Sequence, residues 1–341
     1  MRGTGEGHGR PPVMEDVAKV AGVSHQTVSR VLNNNPNVSP GTRERVELAI
    51  AELGYRRNIA ARSLVTRQSQ TIGVLAAEMS QYGPANTLLA VEQAARDAGY
   101  FVSIAGLGEV TKASIDQAVS HFLDQSVDGI VVLVPHPVTS EALRELHLAV
   151  PVVMVGAIGE GGVSCAAVDQ RLGARLAVQH LIDLGHTKIG HLSGPEAWID
   201  GAERIRGWRE TLADAGLDDS LLLSGDWSAE YAYRVGLELA RKREASAVFA
   251  ANDQMALGLL RAFHESGVRV PDDVSIVGFD DQPDSGFFIP PLTTVRQGFD
   301  ELGRRCIEVL LAELAGGERG ATAIVSPQLV VRQTTAAPSG V

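Results

Sequence analysis

Along the first seventy residues apolar positions recur every three to four places, in short runs. Met14–Ala21, His25–Asn33 and Pro40–Leu53 carry that spacing and read as three short helices. Ser24 suits the N-cap of the second. Ser39 suits the third, with Pro40 at its first position. Asn33 to Asn37, interrupted by Pro36, reads as the break between them. Asn58–Val65 has helical spacing over barely two turns, marginal alone in water, and Thr66–Gln70 reads as a linker. Before all of this lies a Gly- and Pro-rich stretch, residues 1–12, expected to be a disordered tail.

From Thr71 the period changes. Continuous apolar runs at 71–77, 101–107, 129–134, 151–157, 188–194, 246–251 and 274–280 read as strands. Amphipathic spans such as Leu88–Ala98, Ala113–Gln125, Arg171–Leu184 and Asp253–Ser266 separate most of them. Apolar strands alternating with helices indicate parallel sheets covered on both faces. Seven units exceed one ordinary sheet, so two doubly wound halves with a cleft between them are expected. No internal repeat of 20–50 residues is present.

The 341 residues are 45% hydrophobic and 21% charged, which excludes wholesale disorder. No apolar run is long enough to span a bilayer, and the first dozen residues lack the apolar core of a secretory signal, so a cytoplasmic protein without a membrane partner is expected. Two cysteines, Cys165 and Cys306, give neither a disulfide framework nor a zinc site. The net charge of −11 hides a split. Residues 1–70 hold ten Lys/Arg against six Asp/Glu, and the remainder holds twenty against thirty-five. A basic head on an acidic body points to a nucleic-acid partner for the head alone.

The head has the residue types of a helix-turn-helix. Val17 and Ala18 face the second helix, Gly22 supplies the turn, and Val28 and Val31 close a small core. Around the second helix Val28, Val31 and Leu32 share one arc, and His25, Gln26, Ser29 and Arg30 share the opposite one. Gln can bridge adenine and Arg can bridge guanine in the major groove. A merely polar surface helix has the same spacing.

Residues 12–70 closely resemble the head of the lactose-repressor (LacI/GalR) family of bacterial transcription regulators. DVAKVAGVSHQTVSRVLN (16–33), VSPGTRERV (38–46) and ELGYRRNIAARSL (52–64) carry the likeness. The resemblance implies that His25, Gln26 and Arg30 read base edges, and that Ser24, Thr27, Ser29, Asn33, Ser39 and Thr42 contact phosphates. Tyr55 and Asn58 would position the next segment, a hinge helix in which Leu64 wedges the minor groove while Arg62 and Arg67 lie near the backbone. Val13 departs from the family's helix-capping Thr, at a cost of about 1 kcal/mol.

The body resembles the same family through GDWSA (225–229), ANDQMALG (251–258), ESGVRV (265–270) and DDQPDSGFFIPPLTTVRQGFDELG (280–303). That implies a small all-α helix-turn-helix head at 13–57, a hinge helix and linker at 58–70, and an α/β periplasmic-binding-protein-like effector and dimerisation body at 71–337. Its two doubly wound subdomains would be about 71–167 with 298–325, and about 168–295 with 326–337, linked by three crossings. Asn252 and Asp280 stand at strand ends and Arg204 at a loop-to-helix entrance, where such sheets bind ligands. Asp accepts, Asn does both and Arg donates through a fork, which suits a vicinal diol. Trp227 and Phe299 offer flat faces to sugar C–H groups, Tyr82, Gly83 and Pro84 line the same side, and Gln297 joins the set through the resemblance. Asn252 also suits a helix N-cap, and Asp280 a turn.

Gly156 stands where the family pattern has an Asp, and Ala77 where it has a Ser, so a sugar-type effector is expected (a mono- or disaccharide or glycoside) with β-galactoside specificity left open. No leucine-heptad helix follows VVRQTTAAPSGV, so a homodimer without a tetramerisation helix, on double-stranded operator DNA, is expected. GEGHG (5–9) and GAIGEGG (156–162) lack the spacing and Lys-Ser/Thr of a phosphate loop. Asp280, Asp281 and Asp284 have no partnering general acid. His180, His186 and His191 are loosely spaced for a metal and read as surface or strand-edge residues. Neither a catalytic residue, a metal nor a cofactor is expected. The competing function is a sugar-binding or sugar-transforming protein with an incidental basic N-terminus.

Overall fold

The computed structural model describes residues 10, 12–55, 68–134, 136–146, 148–156, 162–195 and 197–339. The chain divides into two compact units, 1–69 and 70–341. In the first, α1 (Met14–Ala21), α2 (His25–Leu32) and α3 (Pro40–Leu53) enclose Val17, Ala18, Ala21, Val28, Val31, Val46, Ala49 and Tyr55. The expected boundaries hold, with α2 one residue shorter because Asn33 is its C-cap. Gly22 ends α1 at φ 62°, a left-handed turn, and Val23 N–H returns to the Ala18 carbonyl at 3.0 Å. Arg43 secures the turn after α2, donating to the Asn34 side chain at 3.2 Å and the Asn35 carbonyl at 3.0 Å. Val13 offers α1 no side-chain cap, yet half of a capping box survives: the Asp16 carboxylate accepts from Val13 N–H at 2.9 Å. Asn58, Arg62, Leu64 and Arg67, with most of the 1–12 tail, lie outside the described residues.

The second unit contains two parallel sheets. One has six strands: β1 (Thr71–Ala77), β2 (Phe101–Leu107), β3 (Gly129–Leu133), β4 (Val152–Val155), β5 (Ser164–Val168) and β11 (Thr322–Val325), in the order β11-β5-β4-β3-β1-β2. The other is β7-β6-β8-β9, from β6 (Ile189–Leu192), β7 (Leu222–Leu223), β8 (Ala247–Ala250) and β9 (Ser275–Val277). A short antiparallel pair, β10 (Thr294–Arg296) with β12 (Gln328–Val330), completes the body. All seven expected strands are present: β1 and β2 keep their expected bounds, and the other five are one to four residues shorter. The five added strands are short or lack a continuous apolar run.

Strand alternation builds the two faces of each sheet. In β1, Ile72, Val74 and Ala76 pack under α4 (Tyr82–Asp97) and α11 (Phe299–Leu314). Leu75 and Ala77 face the opposite way, toward α5 (Lys112–Asp124) and α6 (Pro137–Glu145), with Phe122 wholly buried. Gly73 permits that approach, since a Cβ there would lie 2.7 Å from the Phe122 ring. The second sheet is sandwiched likewise. Trp208 and Leu212 of α8 (Ile199–Asp214) join Ala177 and Leu181 of α7 (Gln170–Asp183) on one face. On the other, α9 (Ala229–Lys242) and α10 (Asp253–Glu265) cover Val248 and Ala250. Each large apolar side chain fully buried in this way contributes about 1.5–3 kcal/mol. None of the described helices is long and apolar enough to cross a membrane.

The three histidines are corrected by the structure. His191, inside β6, is fully buried and stacks on Phe249 with ring centroids 4.5 Å apart, and burial pulls its pKa down to about 3. His186 is buried between the Ser246 and Ser275 hydroxyls, at 3.0 Å each, beside the Ala336 carbonyl. His180 is half-buried against Thr335. They are core and tail-fastening groups, and no cluster of metal-ligating side chains occurs among the described residues.

Candidate functional site

Two surfaces have functional geometry, one in each unit. In the head, the side chains of His25, Gln26 and Arg30 project from one side of α2, exposed, and make no hydrogen bond among the described residues. Val28 and Val31 on the other side fix that face outward. Of the six phosphate-contact candidates, four are engaged in caps. The Ser24 hydroxyl accepts from Thr27 N–H at 3.2 Å and lies 2.9 Å from the Thr27 hydroxyl, while Ser39 accepts from Thr42 N–H at 3.4 Å and donates to the Thr42 hydroxyl at 2.9 Å. A hydroxyl so used retains one further hydrogen-bonding position. Asn33 donates weakly to Ser29 at 3.5 Å. Tyr55 is buried in the head core.

In the second unit both sheets reverse strand order, the first between β1 and β3 and the second between β6 and β8. Ligands of doubly wound folds bind beyond the strand ends at such reversals. There lies a cleft with about 710 Å³ of atom-free space, open to solvent. Tyr82, Pro84, Arg204, Trp227, Asn252, Asp280, Gln297 and Phe299 all line it, as does Gly156. Ala77 does not, because it packs in the core beneath α5. The structure also moves two expected placements: Arg204 sits in the second turn of α8 rather than at its entrance, and Asp280 lies three residues past the end of β9.

The polar floor is a chain of hydrogen bonds. Arg204 Nε donates to Gln170 at 2.9 Å, Gln170 to Gln297 at 2.8 Å, and Gln297 to Asp280 Oδ1 at 2.6 Å. The chain closes through Arg204 NH2, 3.9 Å from the same carboxylate oxygen. Arg204 and Asp280 are 4% and 6% exposed, so both charges are desolvated. Arg204 is further held by the Ala251 carbonyl and lies over the Phe279 ring at 3.9 Å and the Trp227 ring at 5.6 Å. Burial pushes the Asp280 carboxyl up to about 7, against the pull of Arg204 and with a further push from Asp253. No hydrogen bond among the described residues reaches its Oδ2. Asp280 stands at φ 107°, left-handed for a residue with a side chain. The next residue holds it there: Asp281 accepts from Arg296 at 2.7 Å and Arg332 at 2.6 Å.

Asn252 meets both readings made for it. It caps α10, its Oδ1 accepting from Met255 N–H at 2.8 Å, and its amide donates to the Trp227 carbonyl at 3.1 Å while facing the cleft. The aromatic groups form two edge-to-face pairs, Tyr82 with Phe299 at 5.9 Å and Trp198 with Trp227 at 5.4 Å. Trp227 fits because Gly194 has no side chain, where a Cβ would lie 2.1 Å from the indole.

Gln170, Trp198 and Asp200 also line the cleft and were not foreseen. Gln170 opens α7 directly after β5, a strand whose run SCAAV is too weakly apolar to notice. Asp200 lies four residues before Arg204, one turn away on the same helix, and that spacing was the available signal. Its Oδ1 and the Trp227 indole N–H are buried without a partner among the described residues, and burial raises the Asp200 carboxyl to about 6. Asp253, just behind the floor, is a structural carboxylate, accepting from Thr294 and Ser285 at 2.5 Å each and from Gln282 N–H at 2.8 Å.

Comparison with known proteins bears on both surfaces. Residues 13–58 match the family described as bacterial regulatory proteins, lacI family, and residues 178–335 match a periplasmic binding protein-like domain. The lactose operon repressor of Escherichia coli is 35% identical over 332 residues, 97% of this chain and 92% of that one. The regulator CelR of Thermobifida fusca is 37% identical over 323 residues, covering 90% and 93%. A crystal structure of the lac repressor dimer bound to operator and the anti-inducer ONPF overlays with a TM-score of 0.89 at 35% identity, covering 96% of this chain and all of that one. A CelR–cellobiose complex overlays with a TM-score of 0.70 at 33% identity, covering 95% and 99%.

Proposed function

The chain belongs to the lacI family of bacterial regulatory proteins, DNA-binding transcription regulators that are not enzymes, and from that premise we propose an operator-holding repressor released by a sugar. It grips a palindromic operator as a homodimer in the cytoplasm, each head laying α2 in a major groove. His25, Gln26 and Arg30 read bases, and Ser24, Thr27, Ser29, Asn33, Ser39 and Thr42 approach phosphates. Residues 58–70 form the hinge segment, positioned by Tyr55 and Asn58, in which Arg62 and Arg67 approach the backbone and Leu64 enters the minor groove. The solved lac repressor dimer on its operator supports this arrangement.

The sugar occupies the cleft of the 71–337 body. Asp280 accepts from its hydroxyls and Arg204 fixes that carboxylate. Asn252 and Gln297 supply mixed donors and acceptors, and Tyr82, Pro84, Trp227 and Phe299 cover its C–H faces. The carrying observation is the buried chain Arg204–Gln170–Gln297–Asp280, which leaves one charged acceptor oxygen open beneath aromatic rings. CelR's complex with cellobiose supports a carbohydrate here. A sugar that prefers the released arrangement by about 1–3 kcal/mol shifts occupancy of DNA usefully.

The test is a gel shift of the full chain on palindromic and scrambled duplexes, with and without a panel of neutral mono- and disaccharides. The proposal requires preference for the palindrome and its loss with at least one sugar. Equal grip on both duplexes, whatever is added, sinks it.

A further inference from the structure

The described residues lining the cleft include three ionisable charges, Asp200, Arg204 and Asp280, and the one cation is already committed. Arg204 spends Nε on Gln170, NH1 on the Ala251 carbonyl and its face on Phe279, leaving NH2 beside Asp280. Among the described residues an anionic ligand would therefore meet two carboxylates and one cation already paired with Asp280, an arrangement that disfavours it.

Two sealed polar atoms remain on the same wall. Asp200 Oδ1 is an acceptor and Trp227 Nε1 a donor, each buried without a partner among the described residues. The Trp227 ring lies against the start of α8, where a Cβ on Gly201 would touch it at 3.7 Å, so both groups border one corner, beside Trp198. Unpaired buried polar groups are costly, and a ligand that satisfies them recovers that cost on binding. Hydroxyls both donate and accept, so they match a free acceptor beside a free donor, which phosphate and carboxylate groups do not.

Resting on the reading of the cleft as a sugar site, we infer that Asp200 and Trp227 form a hydroxyl-reading corner that makes the effector an uncharged saccharide and excludes sugar phosphates and sugar acids. Asp200 is the specificity-determining residue: it accepts a hydrogen bond from a hydroxyl of the neutral sugar and repels an anionic one.

Calorimetric titration of the full-length protein with glucose, cellobiose, methyl β-galactoside, glucose 6-phosphate and glucuronate tests this. At least one neutral sugar should bind, and both anions about 30-fold or more weaker than the best neutral one. Asp200→Asn keeps the shape and removes the charge. It should weaken the best neutral sugar about tenfold and narrow the neutral-to-anion gap further. Trp227→Phe keeps an aromatic face but removes the pyrrole ring with its N–H, and should weaken the same sugar about fivefold with the anion ratio unchanged. Thermal melting establishes that each variant is folded. Unaltered affinity and selectivity in folded Asp200→Asn overturns this inference alone, as does a tighter-binding anion. Silence of the whole panel at 10 mM or so, neutral and anionic alike, overturns the sugar reading itself.

Discussion

The two surfaces handle their polar groups in opposite ways. On α2, the side chains of His25, Gln26 and Arg30 stand exposed and unbonded among the described residues, on a unit whose core is eight buried side chains, all but Tyr55 small. In the cleft, Arg204, Gln170, Gln297 and Asp280 are buried and already bonded to one another. Exposed groups stay solvated until they meet DNA, so holding them ready costs almost nothing, and phosphate attraction brings the partner in. The groups of this buried chain are satisfied before any ligand arrives, and such prior ordering favours discrimination between similar small molecules. One module trades rigidity for reach, and the other does the reverse.

The sharpest way to break this contrast is at Asp280. Asp280→Asn keeps an acceptor for Gln297 but removes the charge, so sugar affinity should fall about 10- to 100-fold while operator affinity holds. Repression without induction is the expected phenotype, and normal induction would remove Asp280 from the site. Next comes the exposed face: Gln26→Ala should cost about 1–3 kcal/mol at one base pair of each half-site and leave sugar titrations unchanged. A uniform loss over all operator variants would reassign Gln26 to the backbone.

A pH series sharpens the comparison further, because only the buried site has a carboxyl pushed up to about 7. A folded pKa above the unfolded 3.8 means that the relative stability present at low pH is lost as pH rises through about 7. Wild type should therefore lose stability relative to Asp280→Asn between the two values, by up to about 4 kcal/mol, with the difference flat above that window. Subtracting the variant's curve cancels the buried histidines, whose neutral state acts in the opposite direction. Equal curves from pH 4 to 8 would show that Asp280 ionises freely.

The smallest effect is in the head. Val13→Thr should restore the missing half of the capping box and slow amide exchange in α1, by about 0.5–1 kcal/mol. No change would mean that Asp16 alone already satisfies the helix start.

Sequence periodicity was sufficient for the head, where helices are short, capped and locally determined. It also found the strands with long apolar runs. It missed β5 and β10 because SCAAV and TVR lack bulk or length, and their pairing is decided by the sheet around them. That omission hid Gln170, which stands just past β5. Asp280, Arg204 and Trp227 were visible because polar or aromatic residues beside apolar runs stand out. Asp200 was not, because a carboxylate in the first turn of a helix is ordinarily a favourable end charge and needs no other explanation.

The amides of Gln170 and Gln297 have one further property. Free glutamines can turn end for end, but an arginine only gives hydrogen bonds and a carboxylate only takes them, so these two are locked head to tail. Gln170 stands just after β5 of the first sheet, and Gln297 stands between β10 and α11, where the polypeptide leaves one lobe for the other. A ligand hydroxyl that displaces a single link thus deprives both connecting strands of their shared tether at one stroke. Replacement of either amide by glutamate would set acceptor against acceptor, so drift at these positions is confined to side chains that keep the one-way order.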